Sequence, residues 1–100
     1  MNEELKGSER FMAGVELAKG QDCLLVDVRT PEEYAVGHVP GSVNVPVEHM
    51  NRADWDETKT YYLYCMSGGR SERAMQYLRE KEISAENIGG IIDFKGEIVR

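Results

Sequence analysis

The residue types best suited to chemistry lie together in one short loop. They are Cys65, Met66, Ser67, Gly68, Gly69 and Arg70, and Ser71 then opens a helical pattern. The two glycines have no Cβ and can take positive φ, so the N–H groups of the loop can turn inward and bind an anion. A helix N-terminus and an arginine both lower the pKa of a neighbouring thiol. The loop therefore predicts a nucleophilic thiolate at Cys65, with residues 66–70 binding its substrate.

Two side chains of the loop could assist this cysteine. A guanidinium group suits oxyanions, so we expect Arg70 to hold an anionic substrate. Ser67 could donate its hydroxyl to the same anion, although a serine is equally an ordinary turn residue. Arg73 lies one turn into the following helix, where arginines are usually solvated. Arg70 is therefore the main candidate for substrate binding.

The other cysteine and the histidines are expected to be structural. Cys23 starts an apolar run and has no basic loop around it, which indicates an inert thiol. His38 lies in the turn 37–41, where its ring can hydrogen-bond to nearby backbone groups. Together with His49, these residues and Cys65 show no spacing typical of metal ligands, so we expect no metal site.

The elements that must position the loop follow from the hydrophobic pattern. Helical spacing predicts helices over 8–20, 30–37 and 71–80, and apolar or aromatic runs predict strands over 23–28, 42–45, 61–64 and 87–88. We also expect a helical turn over 47–51, a turn at Gly89–Gly90 and an apolar turn over 91–94. Alternating strands and helices predict an α/β fold, a small parallel sheet with helices on both faces and a site at the carboxyl ends of the strands.

Two local features around this sheet are specific enough to name. Thr30 is followed by proline and, three residues on, by Glu33, a pattern typical of a capping box that starts a helix. Asp27 and Arg29 flank the end of the first predicted strand, and a buried aspartate must be paired, so we expect an ion pair between them. The aromatic residues Trp55, Tyr61, Tyr62 and Tyr64 are expected to pack in the core or on the sheet.

Length and charge limit the class of protein. The 100 residues, 41% of them hydrophobic, suit one domain spanning 1–100 with a core over about 8–96. The net charge is −6 and the sequence pI is near 4.9. Because a negatively charged surface repels phosphate groups and anionic lipid, we expect neither nucleic-acid nor membrane partners. Residues 1–6 hold no apolar run typical of a signal peptide, and two cysteines are too few for a disulfide framework. We therefore expect a cytoplasmic monomer with reduced thiols.

Several ordered motifs of the chain resemble the rhodaneses over about Leu24 to Phe94. The matching segments are Asp27–Arg29, Pro31–Tyr34, Gly37–Pro46, Tyr64–Ser71 and Gly89–Gly90. The resemblance implies a small rhodanese-like domain with about five parallel strands between helices. It also implies that Cys65 accepts a sulfane sulfur as a persulfide, that Asp27 and Arg29 brace the site, and that no cofactor takes part. The partners would be a small anionic sulfur donor or a protein persulfide, and a thiol or cyanide acceptor.

Two features depart from the family pattern. No edge strand is evident before Ser8, and Phe94 occupies a position where rhodanese-like chains usually have tryptophan. These departures leave the number of strands and the packing of the tail open. Because the chain ends soon after Phe94, we expect one domain and not a tandem pair.

Two other functions remain open. Tyrosine-type phosphatases and arsenate reductases also place an arginine after a nucleophilic cysteine, but their loop is one residue longer than the six residues from Cys65 to Arg70. A smaller loop suits one bound sulfur better than a tetrahedral phosphate. A rhodanese-like domain can also serve as a binding module, although the presence of both Cys65 and Arg70 favours an enzyme. Thiosulfate, a mercaptosulfonate-like donor and a persulfide would all use the same cysteine, so the donor stays open.

Overall fold

The computed structural model describes residues 7–100, in which helices and strands alternate along the chain. The helices are α1 (Gly7–Leu17), α2 (Pro31–Val36) and α3 (Gly69–Glu80), and the strands are β1 (Cys23–Asp27), β2 (Val43–Asn44), β3 (Thr60–Cys65) and β4 (Ser84–Gly90). Short 3-10 helices span Val47–Arg52 and Ile91–Asp93. The strands are parallel and lie in the order β2-β1-β3-β4. The predicted α/β class is confirmed.

The number of strands differs from the expectation. Residues 7–100 form four strands, whereas the family resemblance implied about five. The apolar runs alone predict four strands, and a strand forms at each of those runs. The question of an edge strand before Ser8 falls on residues 1–6, which lie outside the described part of the chain.

Two apolar cores cover the two faces of the sheet. On one face Phe11 and Val15 of α1 pack with Leu25, Tyr64 and Ile88. On the other face lie Val26 and Leu63, together with Ala74, Met75 and Leu78 of α3 and the 3-10 segment that includes Met50. Neighbouring residues of β1 and β3 therefore point to opposite cores, as expected for central strands buried on both sides. The predicted packing of Tyr61 and Tyr64 in the core is confirmed, since both are buried.

The predicted capping box starts α2. The Thr30 hydroxyl accepts from the N–H of Glu33 at 3.2 Å, and Glu33 Oε1 accepts from the N–H of Thr30 at 3.0 Å. Helix α3 begins at Gly69, two residues before the predicted start, because Gly68 takes φ 110 and forms its N-cap. The first helix ends at Leu17 and is followed by a turn that reaches Gly20.

Strand β4 is longer than predicted, and the prediction of a turn at Gly89–Gly90 is wrong. The strand spans Ser84–Gly90 and pairs with β3 until Gly90 lies opposite Cys65. Its first residues alternate exposed and buried positions, with the small Ala85 and the polar Asn87 buried. Such residues are weak indicators of a strand in a sequence, since strand formers are mainly branched and aromatic. An irregularity in the pairing opposite Leu63 and Tyr64 lets Asn87 and the following Ile88 both be buried.

The expected ion pair between Asp27 and Arg29 is fully enclosed. Their side chains are 0% and 4% exposed, and Arg29 Nη2 lies 2.7 Å from Asp27 Oδ2. Burial lowers the pKa of Arg29, but the hydrogen bond and the charge of Asp27 raise this pKa by more than burial lowers it. The net pKa is raised, so the guanidinium stays charged. Arg29 Nη2 also donates to the carbonyl of Gly37 at 2.6 Å. The pair therefore ties the end of β1 to the turn after α2.

His38 has the structural role that its turn position predicts. Its Nδ1 lies 2.8 Å from the carbonyl oxygen of Tyr34, so this nitrogen is the donor. The imidazole also stacks on the ring of Tyr34 with 3.6 Å between ring centroids. The backbone of His38 pairs with that of Val99, which fixes the C-terminal segment to this turn.

The buried ion pair gives a test of stability. Replacing Arg29 with methionine should lower the free energy of unfolding by ~3–5 kcal/mol at neutral pH, because Asp27 would remain buried without its counterion. Urea denaturation followed by circular dichroism measures the change. The matched control is Lys19→Met, which removes the exposed pair between Lys19 and Glu16 and should leave stability unchanged within error. A loss in Arg29→Met no larger than that of the control would contradict the role given to the pair.

Candidate active site

Cys65 is the last residue of β3 and lies at the carboxyl end of the sheet. Its side chain is 1% exposed, and residues 66–68 carry the chain directly into α3. In parallel α/β sheets ligands bind at this end of the strands. The structure therefore places the candidate nucleophile where the hydrophobic pattern predicted a site.

The loop folds back so that its backbone faces the sulfur. Gly68 has φ 110, a conformation that L side chains rarely adopt, and its N–H lies 3.0 Å from Cys65 Sγ. Helix α3 starts at the next residue, so its N-terminal partial positive charge lies beside the same sulfur. The predicted inward turn of the loop is present in this structure.

Ser71 is a residue of the site whose contact the sequence did not reveal. It is 0% exposed, and its Oγ lies 3.4 Å from Cys65 Sγ, 3.1 Å from the carbonyl oxygen of Gly68 and 2.7 Å from Asn87 Oδ1. A hydroxyl has one proton to donate, so these three acceptors compete for it. A charged sulfur is a stronger acceptor than an amide oxygen, which favours a hydroxyl that turns to Cys65 when the thiol ionises.

Burial and hydrogen bonding act on Cys65 in opposite directions. Burial raises the pKa of the Cys65 thiol. Hydrogen bonds lower this pKa, first from the Ser71 side chain and then from the backbone of Ser71, Gly68 and Ser67. The hydrogen bonds outweigh burial, so the pKa of Cys65 lies below that of an ordinary cysteine. A larger fraction of Cys65 is therefore ionised at a given pH than of an ordinary cysteine, although the sulfur is almost fully enclosed.

Asn87 fixes the loop to β4, a role that its place in the sequence does not indicate. Its Nδ2 donates to the carbonyl of Gly68 at 3.0 Å and to Glu72 Oε1 at 3.0 Å. Its Oδ1 accepts from the N–H of Gly89 at 3.0 Å and is one of the competing acceptors for the Ser71 hydroxyl, whose oxygen lies 2.7 Å away. A buried asparagine needs several partners, and here it finds them in the loop, in α3 and in its own strand.

The end of β4 forms the floor beneath the loop. A Cβ at Gly90 would lie 2.1 Å from the carbonyl oxygen of Met66 and 2.5 Å from the Cα of Ser67. Such contacts leave no room for a side chain, so glycine is required for the loop to cross the strand. Gly89, with φ 110, lies against Gly68. Gly89 and Gly90, which were expected to form a turn, instead let the backbone of β4 pack closely against the backbone of the loop.

Arg70 makes a contact that its position in the sequence does not predict. Its Nη1 and Nη2 lie 2.7 Å and 3.1 Å from the two carboxylate oxygens of Glu33, the capping-box acid of α2. The hydrogen bond from Arg70 is the main cause that lowers the pKa of Glu33 to about 2. Glu33 in turn raises the pKa of Arg70. The expected role of Arg70 in holding an anion therefore has to compete with this ion pair.

The other residues considered in the sequence are distributed over the loop, the neighbouring strand end, α3 and the opposite end of the sheet. Met66, Ser67 and Gly69 are exposed in the loop itself. Asp27 pairs in register with Tyr64, the residue before Cys65, so the Asp27–Arg29 pair lies at the neighbouring strand end. Arg73 is exposed on α3. Cys23 is at the opposite end of the sheet, where β1 begins, and its thiol donates to the carbonyl of Gln21 at 3.5 Å.

Comparison with known proteins agrees with this architecture. The chain is 36% identical over 81 residues to the adenylyltransferase and sulfurtransferase uba4 of Ogataea parapolymorpha, covering 74% of this chain and 20% of that one. It is 37% identical over 73 residues to the thiosulfate sulfurtransferase PspE of Escherichia coli, covering 68% of this chain and 70% of that one. The chain thus spans about a fifth of the first relative.

Solved structures show the same fold. The crystal structure of a rhodanese-like domain protein from Staphylococcus aureus superposes with a TM-score of 0.74 at 30% identity, covering 88% of this chain and 89% of that one. The family model described as the rhodanese-like domain matches residues 14–96, a range that includes Cys65, its loop and the glycines beneath it. The chain therefore belongs to the rhodanese-like domain family.

Proposed function

We propose that this protein is a sulfurtransferase that carries a sulfane sulfur on Cys65 as a persulfide. The observation that carries the proposal is the pair of hydrogen-bond donors beside Cys65 Sγ, the N–H of Gly68 at 3.0 Å and the hydroxyl of Ser71, whose Oγ lies at 3.4 Å. They favour a thiolate without a general base, and a thiolate is the form that attacks sulfur. The sulfurtransferase names of several relatives support the same chemistry.

The reaction follows from the chemistry of a thiolate in this loop. With thiosulfate, Cys65 attacks the outer sulfur, an S–S bond forms, and the original S–S bond breaks as sulfite leaves with the electron pair. The negative charge of the new persulfide lies on its outer sulfur, where loop N–H groups can stabilise it. A thiolate or cyanide acceptor then attacks that outer sulfur, and Cys65 leaves as a thiolate. The lowered pKa of Cys65 helps this second step, because a weaker base leaves faster.

Loop size distinguishes this proposal from phosphatase or arsenate chemistry. Six residues run from Cys65 to Arg70, and the floor formed by Gly90 holds the backbone of Met66 and Ser67 close to β4. A tetrahedral oxyanion needs several inward N–H groups and an arginine free to chelate it. Arg70 is instead paired with Glu33. The site is therefore better suited to a single sulfur atom.

A binding module without catalysis is the second candidate, because fold alone does not fix function. A binding module would have no need of a thiol with a lowered pKa in a loop of inward N–H groups, and both are present here. The proposed partners are accordingly a small anionic donor or a protein persulfide, and a thiol acceptor.

The described helices include none that is both long and apolar enough to cross a bilayer. We propose a monomer that acts in the cytoplasm, on the ground that its two cysteines are thiols and its net charge is −6.

The central test is a persulfide at Cys65. Wild-type protein incubated with a sulfur donor should gain the mass of one sulfur atom on the peptide that contains Cys65, measured by mass spectrometry without reductant. Cys65→Ser should abolish both this gain and sulfur transfer to cyanide, while Cys23→Ser, the matched control, should keep both. Sulfur transfer that survives in Cys65→Ser would overturn the mechanism, and its absence from wild type with every donor would favour the binding module.

The hydrogen bond from Ser71 gives a prediction for ionisation. Ser71→Ala should move the midpoint of the alkylation rate against pH upward, and at pH 6 should slow alkylation of Cys65 by roughly tenfold, because a donor to a charged sulfur is lost. The midpoint reports ionisation and does not depend on how accessible the sulfur is. Wild-type Cys65 should also react faster at pH 6 than the more exposed Cys23. An unchanged midpoint in Ser71→Ala would remove Ser71 from the set of groups that stabilise the thiolate.

Loop size leads to a prediction about phosphate esters. Purified wild-type protein should hydrolyse an aryl phosphate no faster than its Cys65→Ser variant, because the loop cannot place the phosphoryl oxygens on its N–H groups. Release of the aryl alcohol is followed by absorbance. Hydrolysis that depends on Cys65 and exceeds sulfur transfer would replace the sulfurtransferase assignment with a phosphatase.

A further inference from the structure

Arg70 is the only charged residue of the six-residue loop, and its charge is already matched. The ion pair with Glu33 is bidentate, with distances of 2.7 Å and 3.1 Å. The two side chains are 30% and 29% exposed, so the pair is partly shielded from water and salt. A bidentate pair of this kind is directional and holds the guanidinium toward the start of α2.

Glu33 is itself held in place by the backbone. Its Oε1, which accepts from Arg70, also accepts from the N–H of Thr30 at 3.0 Å. The capping box thus fixes the carboxylate before any substrate arrives, and its pKa of about 2 keeps it ionised at neutral pH. To bind Arg70, the sulfonate end of thiosulfate would have to displace the carboxylate of Glu33 from the guanidinium. If both anionic groups bound the guanidinium together, they would repel each other.

Part of the surface beside the loop is apolar. Met66 is 39% exposed, and Ile92, whose N–H lies 3.4 Å from the carbonyl oxygen of Met66, is 67% exposed. Two large apolar residues therefore border the loop next to Cys65. The chain as a whole carries a net charge of −6, which adds repulsion against a dianion. These features suit a donor with an organic group better than a small inorganic dianion.

We propose that Glu33 is a specificity-determining positioning residue, which holds Arg70 in an ion pair and thereby selects an organic persulfide, R–S–SH, over dianionic thiosulfate. The inference rests on the proposed sulfurtransferase function and narrows its donor. The Cys65 thiolate attacks the outer sulfur of R–S–SH, the new S–S bond forms as the old one breaks, and R–S⁻ leaves with the electron pair. The proton stays on the transferred sulfur, which gives Cys65–S–SH, and no oxidant or reductant is consumed.

Glu33→Gln tests this role without removing the helix cap. Glutamine at this position can keep the capping box, because its side-chain oxygen still accepts from the N–H of Thr30, while the charge that holds Arg70 is lost. The measured quantity is kcat/KM for thiosulfate and for the persulfide of 2-mercaptoethanol, with cyanide as acceptor. The ratio of the two values is taken on one protein sample, so it does not depend on the fraction that is folded.

Wild-type protein should have the higher kcat/KM with the organic persulfide. Glu33→Gln should raise kcat/KM for thiosulfate by about tenfold, the order expected for one freed charge-assisted contact, and leave the persulfide value within about twofold. The double variant Glu33→Gln/Arg70→Ala should lose this gain, because the freed guanidinium is its cause. Glu32→Gln, which removes an adjacent exposed charge, is the matched control and should leave the ratio of the two donors unchanged.

Results that contradict the role of Glu33 differ from results that contradict the proposed sulfurtransferase function. Wild type that prefers thiosulfate, or a Glu33→Gln variant whose donor ratio equals that of wild type, would overturn the role of Glu33 while leaving sulfur transfer intact. A gain in Glu33→Gln that persists when Arg70 is also removed would overturn it as well. Failure of the proposed function itself has a different signature: wild type would be no faster than Cys65→Ser with either donor.

Discussion

The burial of a sulfur whose pKa is nevertheless lowered is the constraint on which the site depends. Cys65 is 1% exposed, and burial alone would keep its thiol protonated. The groups that reverse this effect are hydrogen-bond donors from the loop and from Ser71. Each donor has a structural cause: positive φ at Gly68 turns its N–H to the sulfur, and the start of α3 brings Ser71 beneath it. The ionisation of one atom thus rests on the conformation of a whole loop.

Sequence alone predicts those parts of the fold that follow from local physics. The capping box at Thr30 and the ion pair of Asp27 with Arg29 depend on residues two or three positions apart, and both form. The central strands β1 and β3 are also predicted from the sequence, because each follows an apolar or aromatic run. The predicted strand at β4 is too short, because alanine, asparagine and glycine are poor strand formers in isolation. Contacts distant in sequence, such as the hydrogen bonds of Asn87 and the packing of the loop against Gly90, explain why two of these residues occur there.

The position of Cys65 in a loop between a strand and a helix was predictable from the sequence, and the contacts of that loop were less so. The glycine-rich sequence after Cys65 indicates a loop with inward N–H groups, but it does not reveal that Asn87 and Ser71 meet behind the sulfur, since these residues lie 16 positions apart in the chain. The serine could have been found from its place one residue after Arg70, at the first turn of a helix that starts beside the cysteine. The partner of Arg70 could not, because Glu33 lies 37 positions earlier and its capping role already accounts for its presence.

The balance of opposing effects at Cys65 suits an atom that must both attack and leave. A thiolate of very low pKa leaves readily but attacks slowly, because the nucleophilicity of sulfur falls with its basicity. Donors without burial would push the pKa far down, and burial without donors would leave the thiol protonated. In this site both act on one sulfur, and the net lowering is what remains after burial has opposed several hydrogen bonds. In the proposed persulfide cycle Cys65 takes part in both steps, so a lowering of its pKa that burial limits suits it better than the strongest possible stabilisation of the thiolate. Under the proposed mechanism the enclosure of Cys65 is therefore part of the chemistry, because it limits the effect of the same hydrogen-bond donors that lower the pKa of the thiol.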